Sequence, residues 1–258
     1  MTVSIICSTY KEYCTGQLIG AINSVRRQSY LDWELIIVGD HTPAEAEIKK
    51  YLERLNDPRI RFKNLRERSG IASPGTIPKI SGLESAKGDL LCFLDADNMF
   101  FPGHLEQAVR AFKKNPRIDL VYGDTLVRLH PRASRLKVPH YIWRKPDWSP
   151  RRTWLMFYSN FLDMSEPVFT KRAYQIAGGL DASHQSSDWI LWQKMISAGC
   201  YNFYHSPHLG MVYHTASLKH HLQYWLLMLA QNRGWKYQSN ELQFIQKEMR
   251  RRLEKKHA

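Results

Sequence analysis

Two carboxylates stand directly after an apolar run in the stretch "LLCFLDADNMFF", Leu90 to Phe101: these are Asp95 and Asp97, separated only by Ala96. Carboxylates this close repel each other, so a positive group is expected between them. A metal ion, a Lys or Arg side chain, or water alone could occupy that place. Aspartate and water oxygens are the ligands that Mg²⁺ and Mn²⁺ prefer. The pair is therefore a candidate metal site at the end of a buried strand.

Polar residues also end two other apolar runs. Ser8-Thr9-Tyr10 ends "VSIICS", and Gly39-Asp40 ends "WELIIVG". In a parallel sheet, ligands bind outside the carboxyl ends of the strands, so all three sets would meet at one edge. Hydroxyl groups, an aromatic ring and three carboxylates suit a nucleoside together with a hard divalent cation. No G-x-G-x-x-G follows the first strand, which argues against a dinucleotide cofactor.

The elements that must position these residues alternate between strands and helices. Continuous apolar, β-branched runs predict strands at 3–8, 33–39, 60–65, 90–95 and 119–124. Between them, helical patterns are found around Leu18, Ile22 and Val25, at 44–55, at 76–87, and after Pro102-Gly103. This order predicts an α/β protein with a doubly wound, largely parallel sheet.

The second half of the chain is less regular. Residues 130–165 contain four prolines and little periodicity, which predicts a long excursion or lid over the sheet. A helix is predicted at 187–199, with Trp189 and Trp192 on its core side, and a further apolar stripe begins at Leu218. Residues 240–256 predict a basic amphipathic helix.

Charge is concentrated in two segments of a chain whose 258 residues carry a net charge of +13. Arg132 to Arg152 holds seven basic residues and one acidic residue, and the part from Arg233 onward holds eight and three. Such clusters suit phosphate-bearing partners such as nucleic acid, anionic lipid or a charged saccharide. A solvated basic surface is the alternative. A hydrophobic content of 43% excludes a disordered chain.

The cysteines and the apolar runs indicate the cellular compartment of the protein. Cys7, Cys14, Cys92 and Cys200 form no CxxC pair, which fits a reducing compartment and no structural zinc. No apolar run reaches the roughly 18–20 residues of a membrane span. The first strand begins at Val3, leaving no room for a signal peptide in front of it. These features predict a cytoplasmic protein.

With these motifs, the sequence resembles the family-2 glycosyltransferases of the GT-A fold. Their opening pattern is similar to "VSIICSTYKEY…AINSVRRQSYLDWELIIVGDHT", and their D-x-D metal motif is similar to "FLDADN". The resemblance runs from Val3 to about Ser217. It implies a Rossmann-like nucleotide-sugar-binding half at 1–125, an acceptor-binding half of the same domain at 126–217, and a basic helical extension at 218–258.

The resemblance implies roles for the residues at the predicted edge. Thr9 and Tyr10 would line the base pocket, and Asp40 would hold the base or ribose. Asp95 would touch ribose or metal-bound water, and Asp97 would bind Mn²⁺ or Mg²⁺ directly. The family's Ala-Arg-Asn-x-Gly is matched by "PKISG", so Lys79 would replace the Arg that faces the nucleotide. The chain departs from the family's Asp-Asp-Gly, having Gly39 and His41 around Asp40.

Two further residues are assigned through the resemblance. The family's Glu-Asp pair before Trp is matched by Ser187-Asp188-Trp189, which keeps the Asp and lacks the Glu. Asp188 would be the catalytic base, and the helix start and the nearby cation should both favour its ionised form. The segment "YHTASLKH" is similar to the family's His-x-x-Ser, which makes His214 a candidate ligand of metal or diphosphate.

Each assignment has a plain structural alternative. Asp188 would then cap its helix, His214 would belong to the core or surface, and Lys79 would face solvent. Asp40 would be a turn residue, and Thr9 and Tyr10 would pack the end of their strand.

The implied activity is metal-dependent, inverting transfer of a sugar. The donor would be a nucleoside diphosphate sugar, UDP-linked and carrying a hexose or N-acetylhexosamine, and the acceptor a hydroxyl of a saccharide or lipid-linked molecule. One alternative is a catalytically impaired nucleotide-sugar- or glycan-binding protein of the same fold. Another is an aspartate-nucleophile phosphatase, which expects Thr or Val where this chain has Met99. No nucleic-acid partner is expected, and the basic helix at 240–256 is predicted either to dock on an anionic membrane face or to pack on protein.

Overall fold

The structure is a computed structural model that describes residues 1–70, 75–129, 140–183, 187–215, 217–219, 221–222 and 225. The basic segment at 240–256 and the part of the predicted stripe beyond residue 225 lie outside the described residues. No helix in the described part of the chain combines the length and the apolar character that a membrane span requires.

The strands and helices alternate along the chain as the apolar pattern predicted. In the first half they are β1 (Val3–Thr9), α1 (Gln17–Arg26), β2 (Trp33–Gly39), α2 (Glu45–Leu55), β3 (Ile60–Asn64), α3 (Thr76–Leu83), β4 (Leu90–Asp95), β5 (Met99–Phe100) and α4 (His104–Lys114). In the second half they are β6 (Leu120–Leu129), β7 (Tyr141–Trp143), α5 (Thr153–Tyr158), β8 (Val168–Thr170), α6 (Lys171–Ile176), α7 (Ser187–Ser197) and β9 (Phe203–Thr215).

The main differences lie at element ends. The helix predicted at 76–87 ends at Leu83, because the N–H groups of Ser85 and Ala86 bond the carbonyls three residues earlier and tighten the chain into turns. The strand predicted at 119–124 continues to Leu129.

One sheet runs through the described chain in the order β3-β2-β1-β4-β8-β6-β9-β5, with β7 paired to β6. The first four strands in that order are parallel, as predicted. Beyond β4, the short β8 lies antiparallel between β4 and β6, and β9 then pairs parallel to β6. The sheet is therefore parallel in the half formed by β3, β2, β1 and β4 and mixed in the other half, and β6 crosses the predicted boundary at residue 125.

The core lies on both faces of this sheet. Successive side chains of a strand point to opposite faces, so Ile5 and Cys7 of β1 pack with α1, α2 and α4, while Ile6 packs on the other side. The second core contains Trp192 of α7, which is fully buried, as predicted. Every residue of β1 is buried, as a strand covered on both faces requires.

The described part of the predicted excursion at 130–165 contains regular secondary structure. This part, from residue 140, contains β7 and α5 and ends in an irregular segment that leads into β8. That irregular segment, Asn160–Glu166, runs along the polar edge of the sheet and contributes directly to the site described next.

Candidate active site

The predicted polar edge exists. Register places Thr9 beside Gly39 and Ser8 beside Asp95, so the ends of β1, β2 and β4 are adjacent. Asp40 directly follows β2, and its N–H donates to the Thr9 carbonyl at 2.8 Å. The three sets of polar residues therefore lie together, because the three strands that carry them are parallel and end in register.

Lys79 forms an ion pair with Asp95, so one of the positive groups expected beside this carboxylate is a lysine. The Nζ of Lys79 lies 2.6 Å from Asp95 Oδ1 and 3.1 Å from Ser8 Oγ. Lys79 is only 3% exposed, so it is not the solvent-facing helix residue of the structural alternative. Burial raises the pKa of Asp95, but Lys79 and the Ser165 hydroxyl outweigh burial and leave that pKa below its ordinary value.

Asp97, in contrast, takes part in no ion pair among the described residues. Burial and repulsion by Asp95, Glu12 and Asp163 raise its pKa from 3.8 to about 7. A carboxylate surrounded by other carboxylates is an environment that a divalent cation would stabilise. Within the described ranges, no cluster of three or more His, Cys, Asp or Glu side chains could hold a metal unaided. These residues therefore fit a cation whose shell is completed by substrate phosphate and water, as is usual for Mg²⁺.

His214 lies next to Asp97, although its sequence position on β9 is distant. The backbone N–H of His214 donates to Asn98 Oδ1 at 3.1 Å, and its Nδ1 lies 2.7 Å from the Asp97 carbonyl oxygen. Since a carbonyl only accepts, Nδ1 carries the hydrogen, and in a neutral ring the lone pair is then on Nε2. A histidine ligand oriented in this way by a backbone carbonyl is a common arrangement in metal sites.

Two charged side chains that were not predicted lie at the end of β1, beside Thr9 and Tyr10. Glu12 Oε2 accepts hydrogen bonds from the Thr9 hydroxyl at 2.9 Å and from the Tyr10 N–H at 2.6 Å. The guanidinium of Arg68 covers the Tyr10 ring, 3.9 Å from its centroid. Glu12 and Arg68 were not predicted, because neither lies at a strand end.

Asp40, directly after β2, is only 7% exposed, and its carboxylate is hydrogen-bonded by Ser69. The backbone N–H and the hydroxyl of Ser69 each donate to the Asp40 carboxylate at 2.8 Å. Asp40 is thus oriented by the loop that precedes α3, and this partner was also missed from the sequence.

Asp188 lies in the first turn of α7, as predicted, and the pKa of its carboxyl is shifted upward rather than downward. The Nδ2 of Asn160 donates to Asp188 Oδ2 at 3.1 Å. Burial raises the pKa of Asp188 and outweighs the lowering by the Trp189 N–H and by Asn160. Burial therefore opposes the effect expected of the helix start, because a half-buried carboxylate loses more hydration than these donors return.

The segment Asn160–Glu166 is the largest part of the site that sequence analysis missed. Ser165 Oγ donates to Asp95 Oδ2 at 2.8 Å and accepts from the Asp95 N–H at 2.9 Å. Asp163 is close enough to Asp95 and Asp188 for their charges to raise its pKa, and with burial, the larger cause, that pKa reaches about 7. The polar residues of "NFLDMSE" before a strand were the available signal.

Residues 4–165 match the family described as Glycosyl transferase family 2. The chain belongs to this family. It is 33% identical over 145 residues to Protein CgeD of Bacillus subtilis, a match that covers 54% of this chain and 32% of CgeD. It is 32% identical over 123 residues to the poly(ribitol-phosphate) beta-N-acetylglucosaminyltransferase TarP of Staphylococcus aureus, covering 47% of this chain and 36% of TarP. The matches thus span about a third of these two relatives.

Solved structures of two proteins share the GT-A fold with this family 2 member. S. aureus TarS 1-349 in complex with UDP-GlcNAc superposes with a TM-score of 0.63 at 15% identity, covering 86% of this chain and 61% of that one. The mannosyltransferase PcManGT of Pyrobaculum calidifontis, in complex with GDP-Man and Mn²⁺, superposes with a TM-score of 0.60 at 18% identity, covering 89% and 61%. The predicted α/β fold of the GT-A type is confirmed.

This family 2 chain departs from the family pattern at two places where the structure shows the consequence. His41, where the family pattern has Gly, adopts a left-handed backbone with φ of 54°, a conformation that costs little only for Gly. Ser187, where the pattern has Glu, is buried with its hydroxyl 2.8 Å from that of Thr76. Neither departure removes Asp40 or Asp188 from the edge.

Proposed function

We propose that this chain transfers a sugar, with inversion at the anomeric carbon, from a nucleoside diphosphate sugar to an acceptor hydroxyl in the presence of Mn²⁺ or Mg²⁺. The observation that carries the proposal is the grouping of Asp97, Asp95 and Asp188 at the edge of a GT-A sheet. Lys79 neutralises one of these carboxylates, while Asp97 is left among like charges. Residues 1–125 would bind the donor and residues 126–217 the acceptor.

Asp97 and His214 would hold the cation, and Asp95 would occupy the ribose side of it. A bound divalent cation stabilises the charge that develops on the departing diphosphate. Lys79 keeps Asp95 ionised and fixed in place through its 2.6 Å contact. Tyr10, Thr9 and Asp40 would contact the base and ribose, and Asp40 offers a carboxylate already oriented by Ser69.

Asp188 would accept the proton of the attacking hydroxyl. A single displacement that uses one base inverts the anomeric centre. The raised pKa of Asp188 suits this role, since a general base works best when its pKa lies near the operating pH. Asp188 lies on α7 and bonds the segment 160–166, so the acceptor would bind at residues of the second half of the chain.

A UDP-linked hexose or N-acetylhexosamine is the donor that the relatives favour. One relative is named a UDP-Glc:alpha-D-GlcNAc-diphosphoundecaprenol beta-1,3-glucosyltransferase, and TarP is named an N-acetylglucosaminyltransferase. These names also support a saccharide or lipid-linked acceptor and a place in polysaccharide biosynthesis.

Donor turnover tests the proposal directly. The full chain is incubated with UDP-N-acetylglucosamine, UDP-glucose or GDP-mannose, each with Mn²⁺ or with EDTA, and release of nucleoside diphosphate is measured. We expect release from a UDP sugar that requires Mn²⁺. Binding of UDP with Mn²⁺, seen as thermal stabilisation, without release from any donor would instead support the impaired binding protein.

We also propose that the basic segment at 240–256 brings the protein to an anionic membrane face. Six basic residues support this, each contributing about 1 kcal/mol near such a surface: Lys247, Arg250, Arg251, Arg252, Lys255 and Lys256. Flotation on vesicles with and without phosphatidylserine compares the full chain with a form that ends at residue 239. Equal partitioning of the two forms would contradict the proposal.

A further inference from the structure

The amide of Asn160 faces Asp188 in a defined orientation. The N–H of Leu162 donates to Asn160 Oδ1 at 3.2 Å, so this oxygen is occupied by a donor of its own segment. The Nδ2 group is thereby directed to Asp188 Oδ2, 3.1 Å away. Because an amide oxygen only accepts and an amide nitrogen only donates, these two bonds determine which end of the side chain meets the carboxylate.

The backbone around Asn160 is itself held in place at both ends. On the preceding side, the Met156 carbonyl of α5 accepts hydrogen bonds from the Trp189 indole and, at 3.4 Å, from Gln193 Nε2, and both donors belong to α7. On the following side, Ser165 is bonded to Asp95. Asn160 is therefore carried by a segment tied to the helix of Asp188 and to the strand end of Asp95.

We infer that Asn160 is a positioning residue for Asp188: its Nδ2 donor holds the carboxylate in one orientation and favours its ionised form. The inference rests on the proposed role of Asp188 as base. The charged groups that act on Asp188 are Asp95 and Asp163, which disfavour its ionised form, and Lys79, which favours it. Asn160 is the side-chain donor that offsets the two carboxylates at short range.

Asn160→Asp tests this with little change in side-chain size, because it replaces the donor by a carboxylate. A matched control is Asn115→Asp. Asn115 is exposed after α4, at the edge where β6 begins, and its Oδ1 accepts from the Arg117 N–H, a bond that Asp preserves. Both variants add one negative charge, and only the first adds it beside Asp188.

Release of UDP from UDP-N-acetylglucosamine and UDP-glucose is measured with Mn²⁺ as a function of pH, alongside GDP release from GDP-mannose. For Asn160→Asp we expect kcat to fall roughly 10- to 100-fold, the range of one hydrogen bond to a charged group. The KM for the donor should stay within about twofold, since a change confined to the base leaves ground-state binding intact. The acidic limb of the kcat profile should move to higher pH, because a second carboxylate raises the pKa of Asp188. Asn115→Asp should match wild type in kcat, in the KM for the donor and in the pH profile of kcat.

A second readout does not depend on turnover. The carboxyl carbon of Asp188 is titrated by ¹³C NMR in the wild type and in Asn160→Asp, with its signal assigned by Asp188→Asn. A higher midpoint in Asn160→Asp is expected, and equal midpoints overturn the inference even if no donor is consumed. Wild-type protein that releases no nucleotide from any donor overturns the proposed function. Wild-type protein that turns over, with Asn160→Asp equal to it in kcat and pH profile, overturns the role of Asn160 alone.

Discussion

The pair formed by Lys145 and Glu166 offers a quantitative test of how the second half of the chain is held together. Lys145 Nζ lies 2.8 Å from Glu166 Oε2, and both side chains are completely buried. The other oxygen of Glu166 accepts from the Gly123 N–H at the irregular point of β6. Lys145→Met keeps a side chain of similar length and leaves Glu166 without its counterion.

The expected loss in the free energy of unfolding depends on whether Glu166, without Lys145, stays charged or binds a proton. Breaking a buried ion pair by removing one partner costs about 3–5 kcal/mol when the other stays charged. Glu166 can instead bind a proton, and from its ordinary pKa of 4.5 this costs about 3 kcal/mol at pH 7, at roughly 1.4 kcal/mol per pH unit. Protonation therefore limits the loss to about 3 kcal/mol at pH 7 and to about 1 kcal/mol at pH 5.

The loss of stability in Lys145→Met should increase as the pH rises. Burial already raises the pKa of Glu166 and Lys145 lowers it, so removing Lys145 raises it further. A carboxyl whose folded pKa lies above its unfolded pKa binds more protons in the folded state, so stability falls as pH rises above 4.5. The difference between Lys145→Met and wild type should therefore grow from pH 5 to pH 7.

Urea denaturation at pH 5, 6 and 7, followed by tryptophan fluorescence, measures these free energies of unfolding. The control is the double variant Lys145→Met/Glu166→Gln, which removes the buried charge. It should recover much of the stability at pH 7 and lose the extra pH dependence. A Lys145→Met protein within 1 kcal/mol of wild type at pH 7, or one with equal losses at pH 5 and pH 7, would refute the reasoning.

Three further predictions concern the edge and β9. Asp97→Ala should abolish transfer and remove the Mn²⁺ dependence of UDP binding; tight UDP binding that still needs Mn²⁺ would show that Asp97 is not the ligand. Asp188→Asn should bind donor almost as well as wild type and lose roughly 10²–10⁴-fold in turnover; parallel loss of affinity would indicate a structural role. Burial disfavours the charged form of His205, but bonds to Asp124 and Asp147 outweigh it and raise its pKa above 6.5, so its contribution to stability is present below that pH and lost at higher pH. Urea denaturation should therefore show a larger loss for His205→Asn at pH 6 than at pH 9, and equal losses would contradict this.

The half of the sheet formed by β1 to β4 could be predicted closely because its central strands are buried on both faces. Such strands are continuous apolar runs, and the polar residues that end them mark the edge where ligands bind. The positions of Thr9, Tyr10, Asp40, Asp95 and Asp97 on one edge follow from this alone.

The strands of the other half, β8 and β9, could not be predicted from local sequence patterns. β9 has an irregular burial pattern, contains a proline, and pairs with β6 across a bulge, so neither a period of two nor a continuous apolar run identifies it. The short β8 has only three residues. His214 was placed through the resemblance, and only the pairing of β9 with β5 shows why it lies beside Asp97.

The sequence by itself determined the fold class, the strand ends that form the candidate site, and the residue types available there. Tertiary structure alone decided which groups those residues meet. Ser165 bonds Asp95 across 70 positions of the chain, and Asn160 bonds Asp188 across 28. Local apolar patterns record how deeply an element is buried, whereas such contacts depend on how α5 and α7 pack on the sheet. The partners that set the charge states of Asp95 and Asp188 are therefore visible only in the folded chain.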